Sequence, residues 1–92
     1  MATRLALTAQ EEALAQALDD FRWEAGPSSA AGILGLAKET FRSFCYRRRR
    51  PSASMAWYLA QRCTDILGQP NFPRNGVPII ERILGAARAL HQ

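Results

Sequence analysis

Apolar residues recur along this chain at the spacing of helices, each with one side turned inward. Leu14, Ala17, Leu18 and Phe21 share a stripe, with Gln10, Glu12, Gln16, Asp19 and Asp20 off it. Thr8 with Glu11 three residues on is a capping-box signature, so a first helix is expected over about residues 9–23. Gly26-Pro27 ends it, and Ser28 or Ser29 caps a short second helix to Leu34. Gly35-Leu36-Ala37 is a tight bend, with glycine placed for a left-handed backbone and Leu36 turning back to the core. A third helix runs from Lys38 to about Arg48, with Phe41 and Phe44 three apart on its buried side. Met55, Leu59, Cys63 and Ile66 predict a fourth helix over 54–67, capped by Ser52 or Ser54. The turn-formers of 68–76 predict an irregular connection pinned by Phe72. Val77-Pro78 opens a fifth helix whose stripe is Ile80, Ile83, Leu84, Ala87 and Leu90, with Ile79 beside it. The expected fold is all-α: one domain, 1–92, a compact bundle of about five helices behind a loose arm at 1–7. Trp23 can pack against the bundle or remain partly exposed, and packing is the favoured expectation; Trp57 stands off the main stripe of its helix.

Charge adds a second layer. The chain of 92 residues carries 12 Lys and Arg against 8 Asp and Glu, a formal net charge of +4. Lys38 to Arg50 holds Lys38, Arg42 and the run Arg47-Arg48-Arg49-Arg50 against Glu39 alone, a local +5 that leaves the remainder slightly acidic. Such clustering is the footprint of a phosphate-binding face. Arginine throughout the run suits phosphate, which its guanidinium grips bidentately. A solvated charge run or a membrane-surface patch is the plainer alternative. No stretch is apolar enough to span a membrane, and the N-terminus lacks the apolar core of a signal peptide. A cytoplasmic protein with two reduced cysteines, Cys45 and Cys63, is expected; two cysteines make neither a disulfide framework nor a zinc site.

The stretch from Pro27 to Pro51 resembles the helix-turn-helix of the lambda-repressor-like (Cro/Xre-type) DNA-binding domains. The residues that carry the likeness are Ala30, Ala31, Leu34, Gly35, Leu36, Thr40, Phe41 and Phe44, with the trailing Arg49 to Ser52. Two positions depart from the family pattern. Pro27 stands where a glutamine often braces the DNA backbone. Arg47 stands where a glycine often ends the recognition helix, which implies either a longer third helix here or a differently shaped exit.

The resemblance implies a helix-turn-helix at 28–48 with its third helix in the major groove of double-stranded DNA. Side chains near the N-terminal end of such a helix reach base edges, which nominates Lys38, Glu39, Thr40, Arg42 and Ser43 for base contacts, Arg42 first. Tyr46, Arg47, Arg48, Arg49 and Arg50 lie later and are expected at phosphates, which position rather than specify. Ser28 and Ser29 at a helix start join them, because free amides and hydroxyls there suit an anion. Readers of this kind often pair on palindromes. The helix at 77–91 is a candidate homodimer interface through Ile79, Ile83, Ala87 and Leu90.

No enzyme, cofactor or metal is expected. His91 is the one histidine, and Asp19, Asp20 and Glu24 sit on the polar side of a helix without a metal-ligand pattern. The expected function is a bacterial or phage-type transcriptional regulator, most naturally a repressor. Two other classes remain: a protein partner's module, such as an antitoxin or small inhibitor using Trp57, Phe72 and the last helix, and a nonspecific nucleic-acid binder. Phe41 and Phe44 as a stacking platform for single strands is the sharper alternative to their packing role. Arg4, on the arm, is a further possible DNA contact.

Overall fold

The computed structural model describes residues 5–91, and among them the chain is helical with no strand. Five helices follow in order: α1 (Ala9–Ala25), α2 (Pro27–Leu34), α3 (Lys38–Cys45), α4 (Ala53–Leu67) and α5 (Val77–His91). A single 3₁₀ turn at Arg74–Gly76 leads into α5. The expectations for Arg4 and for the His91 side chain lie outside the described residues.

The core is the sum of the stripes. Leu14, Leu18 and Phe21 of α1 meet Leu59, Cys63 and Ile66 of α4 and Ile79, Ile80, Ile83 and Ala87 of α5. The α4–α5 hairpin and α1 form the base, and α2 and α3 rest on α1. Phe72 anchors the connection as expected, partly buried, with its ring packed so close to Gly76 that a side chain there would press on it.

The N-terminal cap of α1 is the predicted box. Thr8 Oγ1 accepts from the Glu11 amide (3.1 Å), and Glu11 Oε1 accepts from the Thr8 amide (2.8 Å). Ser52 caps α4 by accepting from the Met55 amide (3.0 Å).

Several expectations change. Helix α1 runs two residues further, and Gly26 (φ 87°) both ends it and precedes α2. Pro27 takes the first position of α2, so neither Ser28 nor Ser29 caps it. Trp23 does not pack; it is 75% exposed, because it lies off the buried stripe that ends at Phe21. Of the arm expected at 1–7, residues 1–4 lie outside the described residues, and 5–7 are tied to the exit of α3: the Leu5 amide donates to the Arg47 carbonyl (2.8 Å), and Arg50 Nη2 donates to the Ala6 carbonyl (2.8 Å). The proposed pairing surface on α5 fails for Ile79, Ile83 and Ala87. All three are buried in the chain's own core, where α1 and α4 pack on that side of α5; Leu84 and Leu90 are only partly buried.

Both cysteines are buried and unpaired. Burial pushes the Cys63 thiol up to about 12. It does the same to Cys45, also up to about 12, with the Asp19 carboxylate adding to the effect. A thiol whose value is raised on folding stabilises the fold fully below its ordinary 9.0, and that stability is lost as pH rises toward 12. The urea midpoint is therefore expected to hold through neutral pH and fall in that alkaline window, less steeply for Cys63→Ala. Native protein at neutral pH should resist a thiol reagent until urea unfolds it.

Candidate nucleic-acid interface

Helix α3 is eight residues long, about 12 Å, too short to be stable alone. Phe41 (0% exposed) and Phe44 (3%) hold it down on the core, with Cys45 beside them. The stacking-platform reading of the two phenylalanines is thereby removed. Lys38 and Glu39 on the opposite side are exposed, and Thr40, Arg42 and Ser43 are partly so. Among the described residues, α3 packs only against α1 and α2, and its side away from the core is not covered by another helix.

Both ends of the α2–turn–α3 unit close in the same way. After α2, Gly35 adopts the left-handed conformation (φ 69°), its amide donates to the Gly32 carbonyl (3.1 Å), and the Leu36 amide reaches back to Ala31 (2.9 Å). After α3, Arg47 is left-handed (φ 58°), its amide donates to Phe44 (3.2 Å), and the Arg48 amide reaches back to Ser43 (2.9 Å). This paired pattern of amides returning to the last turn is a Schellman termination. Arg47 therefore does what a glycine would do there, and α3 is not lengthened: it stops at Cys45, three residues short of the expected end.

Side chains satisfy the carbonyls that remain. From α4, Arg62 Nε donates to Ile33 (2.9 Å), and the Tyr58 hydroxyl donates to Leu34 (2.9 Å) and lies 3.2 Å from the Gly35 carbonyl. A side chain at position 35 would collide with that hydroxyl. Arg47 Nη1 donates to the Cys45 carbonyl (2.6 Å). Unpaired helix-end carbonyls are costly when buried, so these contacts fix both the crossing of α2 on α4 and the exit from α3.

The arginine run divides in two. Arg47, only 5% exposed, points inward, pairs with Glu12, and donates to Gln16 Oε1 (3.0 Å); Asp19 lies 3.8 Å away. Glu12, Gln16 and Asp19 are spaced four and three apart, so they line one side of α1. The hydrogen bond that Arg47 donates to Glu12 raises its guanidinium further above its ordinary value. Arg50 pairs with the buried Glu11 and donates to the Ala6 carbonyl (2.8 Å). Arg47 thus cannot serve a phosphate, and Arg50 is engaged at home. Arg48 and Arg49 are exposed, and among the described residues neither they nor Lys38 has a carboxylate partner. Arg42 has one weak, exposed partner, Glu39 at 3.7 Å. Ser43 hydrogen-bonds the Glu39 carbonyl of its own helix (2.8 Å). Ser28 and Ser29 are exposed at the start of α2.

Tyr46 is partly buried among guanidinium groups: Arg22 and Arg48 lie 5.1 and 5.3 Å from its ring centre and Arg42 5.7 Å. Arg49 lies 5.6 Å from the Phe44 ring. These contacts hold flexible side chains along one face.

The other α1 acids are also accounted for. Asp19 accepts from Arg22 (2.9 Å), and Asp20 pairs with Arg82 of α5 (2.7 Å), whose hydrogen bond lowers the Asp20 carboxyl below its ordinary range. The inward turn of Arg47 was invisible in the sequence, although the Glu12, Gln16, Asp19 spacing on α1 was a signal for a buried cation opposite.

No known protein family, characterised protein or solved structure matches the chain.

Replacing a guanidinium that serves three partners leaves the buried Cys45 carbonyl without its donor and the partly exposed Glu12 carboxylate without its cation, beside a cavity where the buried side chain stood. Arg47→Ala is expected to lower stability by about 2 kcal/mol or more in urea unfolding. Arg47→Gly should lose about 1 kcal/mol less than Arg47→Ala, because glycine removes the left-handed strain.

Proposed function

We propose that this chain is a sequence-specific double-stranded DNA-binding transcriptional regulator, a repressor of the helix-turn-helix kind, that places α3 in the major groove of a short operator. The observation that carries the reading is a short helix clamped from beneath by Phe41 and Phe44, its outer side uncovered among the described residues and flanked by Lys38, Arg48 and Arg49, which have no carboxylate partner among them. An α-helix fits the major groove, where side chains of its first turns meet base edges. Lys38, Glu39, Thr40, Arg42 and Ser43 are the base-facing set in this reading. Arg48 and Arg49 are the phosphate contacts, with Tyr46 holding Arg42 and Arg48 in place and Ser28 and Ser29 at the adjacent backbone. Arg47 and Arg50 leave the phosphate set. The left-handed Arg47 also favours the resemblance, since the family's terminating geometry is kept without its glycine. Two copies on a palindrome remain part of the reading, paired through a surface other than Ile79, Ile83 and Ala87.

One observation favours a second reading, a protein-interaction module such as an antitoxin or small inhibitor. Trp57 is 50% exposed beside an open groove lined by Ala53, Ser54 and Tyr58.

Selection of bound sites from a random duplex pool, followed by salt titration on selected and random duplexes, tests the proposal. A recurring site that keeps its preference across salt supports it; equal loss on every duplex supports nonspecific binding; no band shift on any duplex supports the protein module. Arg48→Ala and Arg49→Ala should each weaken all duplexes alike and flatten the slope of log affinity against log salt by about one. Arg42→Ala should cost about 1–3 kcal/mol on the selected site and far less on random duplex. Equal effects of Arg42→Ala and Arg48→Ala on both duplexes would refute this division of roles.

A further inference from the structure

Trp23 lies outside the hydrophobic core of this fold. It is the most exposed large apolar side chain among the described residues, and it sits beyond the last buried position of α1. Yet its ring is not isolated. The Arg22 guanidinium lies 5.1 Å from the Trp23 ring centre and 5.1 Å from that of Tyr46, so one cation bridges the two rings. Tyr46 in turn lies beside Arg48 and Arg42. An unbroken run of rings and guanidinium groups therefore joins the end of α1 to the exit of α3. Arg22 is answered by Asp19 at 2.7 Å, so it contributes little free charge and acts as a spacer. The outer end of the run is a flat apolar ring, four residues before the exposed start of α2.

We infer that Arg22 and Trp23 extend the DNA-contact face onto α1, with the Trp23 ring lying on the deoxyribose of a bound strand. The inference rests on the DNA-binding reading above. A duplex backbone alternates phosphates with the carbon faces of sugars. Arg48 and Arg49 supply what the phosphates need, and Trp23, at the outer end of the run beyond Arg22 and Tyr46, supplies an apolar body for a sugar further along the strand. The partner's chemistry follows from continuity with that cationic face, which calls for a polyanion with apolar steps. Sugar contacts carry no sequence information, so the contribution of Trp23 is the same on every duplex. Tyr46 and Arg22 are positioning residues here, since they hold Trp23 against the face.

The Trp57→Phe variant leaves Trp23 as the one tryptophan, and a fluorescein-labelled random-sequence duplex is the probe, at about 50 mM salt where nonspecific binding is strong. Duplex anisotropy reports binding; tryptophan emission and iodide quenching report the ring. The expected result is that emission shifts and iodide access falls over the same concentration range as the anisotropy rise. Trp23→Ala should weaken random and selected duplexes by one common factor of about fivefold or more, while Trp57→Phe leaves both unchanged. A rise in anisotropy with unchanged emission and iodide access overturns the inference and leaves the DNA-binding reading standing. Shielding of Trp23 by phosphatidylserine vesicles but not by duplex overturns it in favour of a lipid surface. No anisotropy rise with any duplex overturns the DNA-binding reading and this inference together.

Discussion

An eight-residue helix has no stability of its own, and everything on the outer side of α3 depends on what holds α3 in place. Two phenylalanines press it onto the core. Its entry is set by the Gly35 turn, whose carbonyls are held by Tyr58 and Arg62 of α4, and its exit by Arg47. Each of the last carbonyls of α2 and α3 finds a donor in these contacts, so neither end frays into the turn that follows. The result is a short rod held along its buried side by Phe41, Phe44 and Cys45 and fixed at its entry and exit.

Arg47 shows how one residue does two jobs at that exit. A non-glycine residue in the left-handed region costs about 1 kcal/mol or more and persists only when its surroundings over-determine it. Here they do. Its backbone closes the Schellman pair, and its side chain enters the row of Glu12, Gln16 and Asp19 on α1. Arg50 repeats the theme with Glu11, the same carboxylate that closes the capping box of α1. Half of the arginine run is thus spent on attaching the exit of α3 to α1. The other half, Arg48 and Arg49, faces outward. Net charge alone overstates the cationic face, because two of its members are neutralised from within.

The helices themselves were legible in the sequence because their signals are local. Stripes at helical spacing, the Thr8–Glu11 box, Pro78 in a first turn and Gly35 in a left-handed bend depend only on near neighbours in the chain, and the structure keeps each of them. The termination of α3 was not legible, because arginine has no local preference for that backbone and its reason lies on α1, 35 residues away. Nor was the fate of α5. Its stripe is as suitable for a second subunit as for a core, and only the docking of α4 and α1 consumed Ile79, Ile83 and Ala87. Trp23 was misjudged for the opposite reason: a large ring is expected to be buried, but its angular position past Phe21 put it outside the stripe.

The sequence by itself determined which segments are helical, which of their sides are apolar, where the chain must turn, and that positive charge gathers on one segment. Those properties follow from backbone propensity and periodicity, which act over a few residues. Only the tertiary structure decided which arginines look outward, which apolar side chains the core consumes, and that the end of α1 meets the exit of α3 across Arg22 and Tyr46. Those outcomes turn on ion pairs and packing between residues distant along the chain, whose meeting no local pattern records.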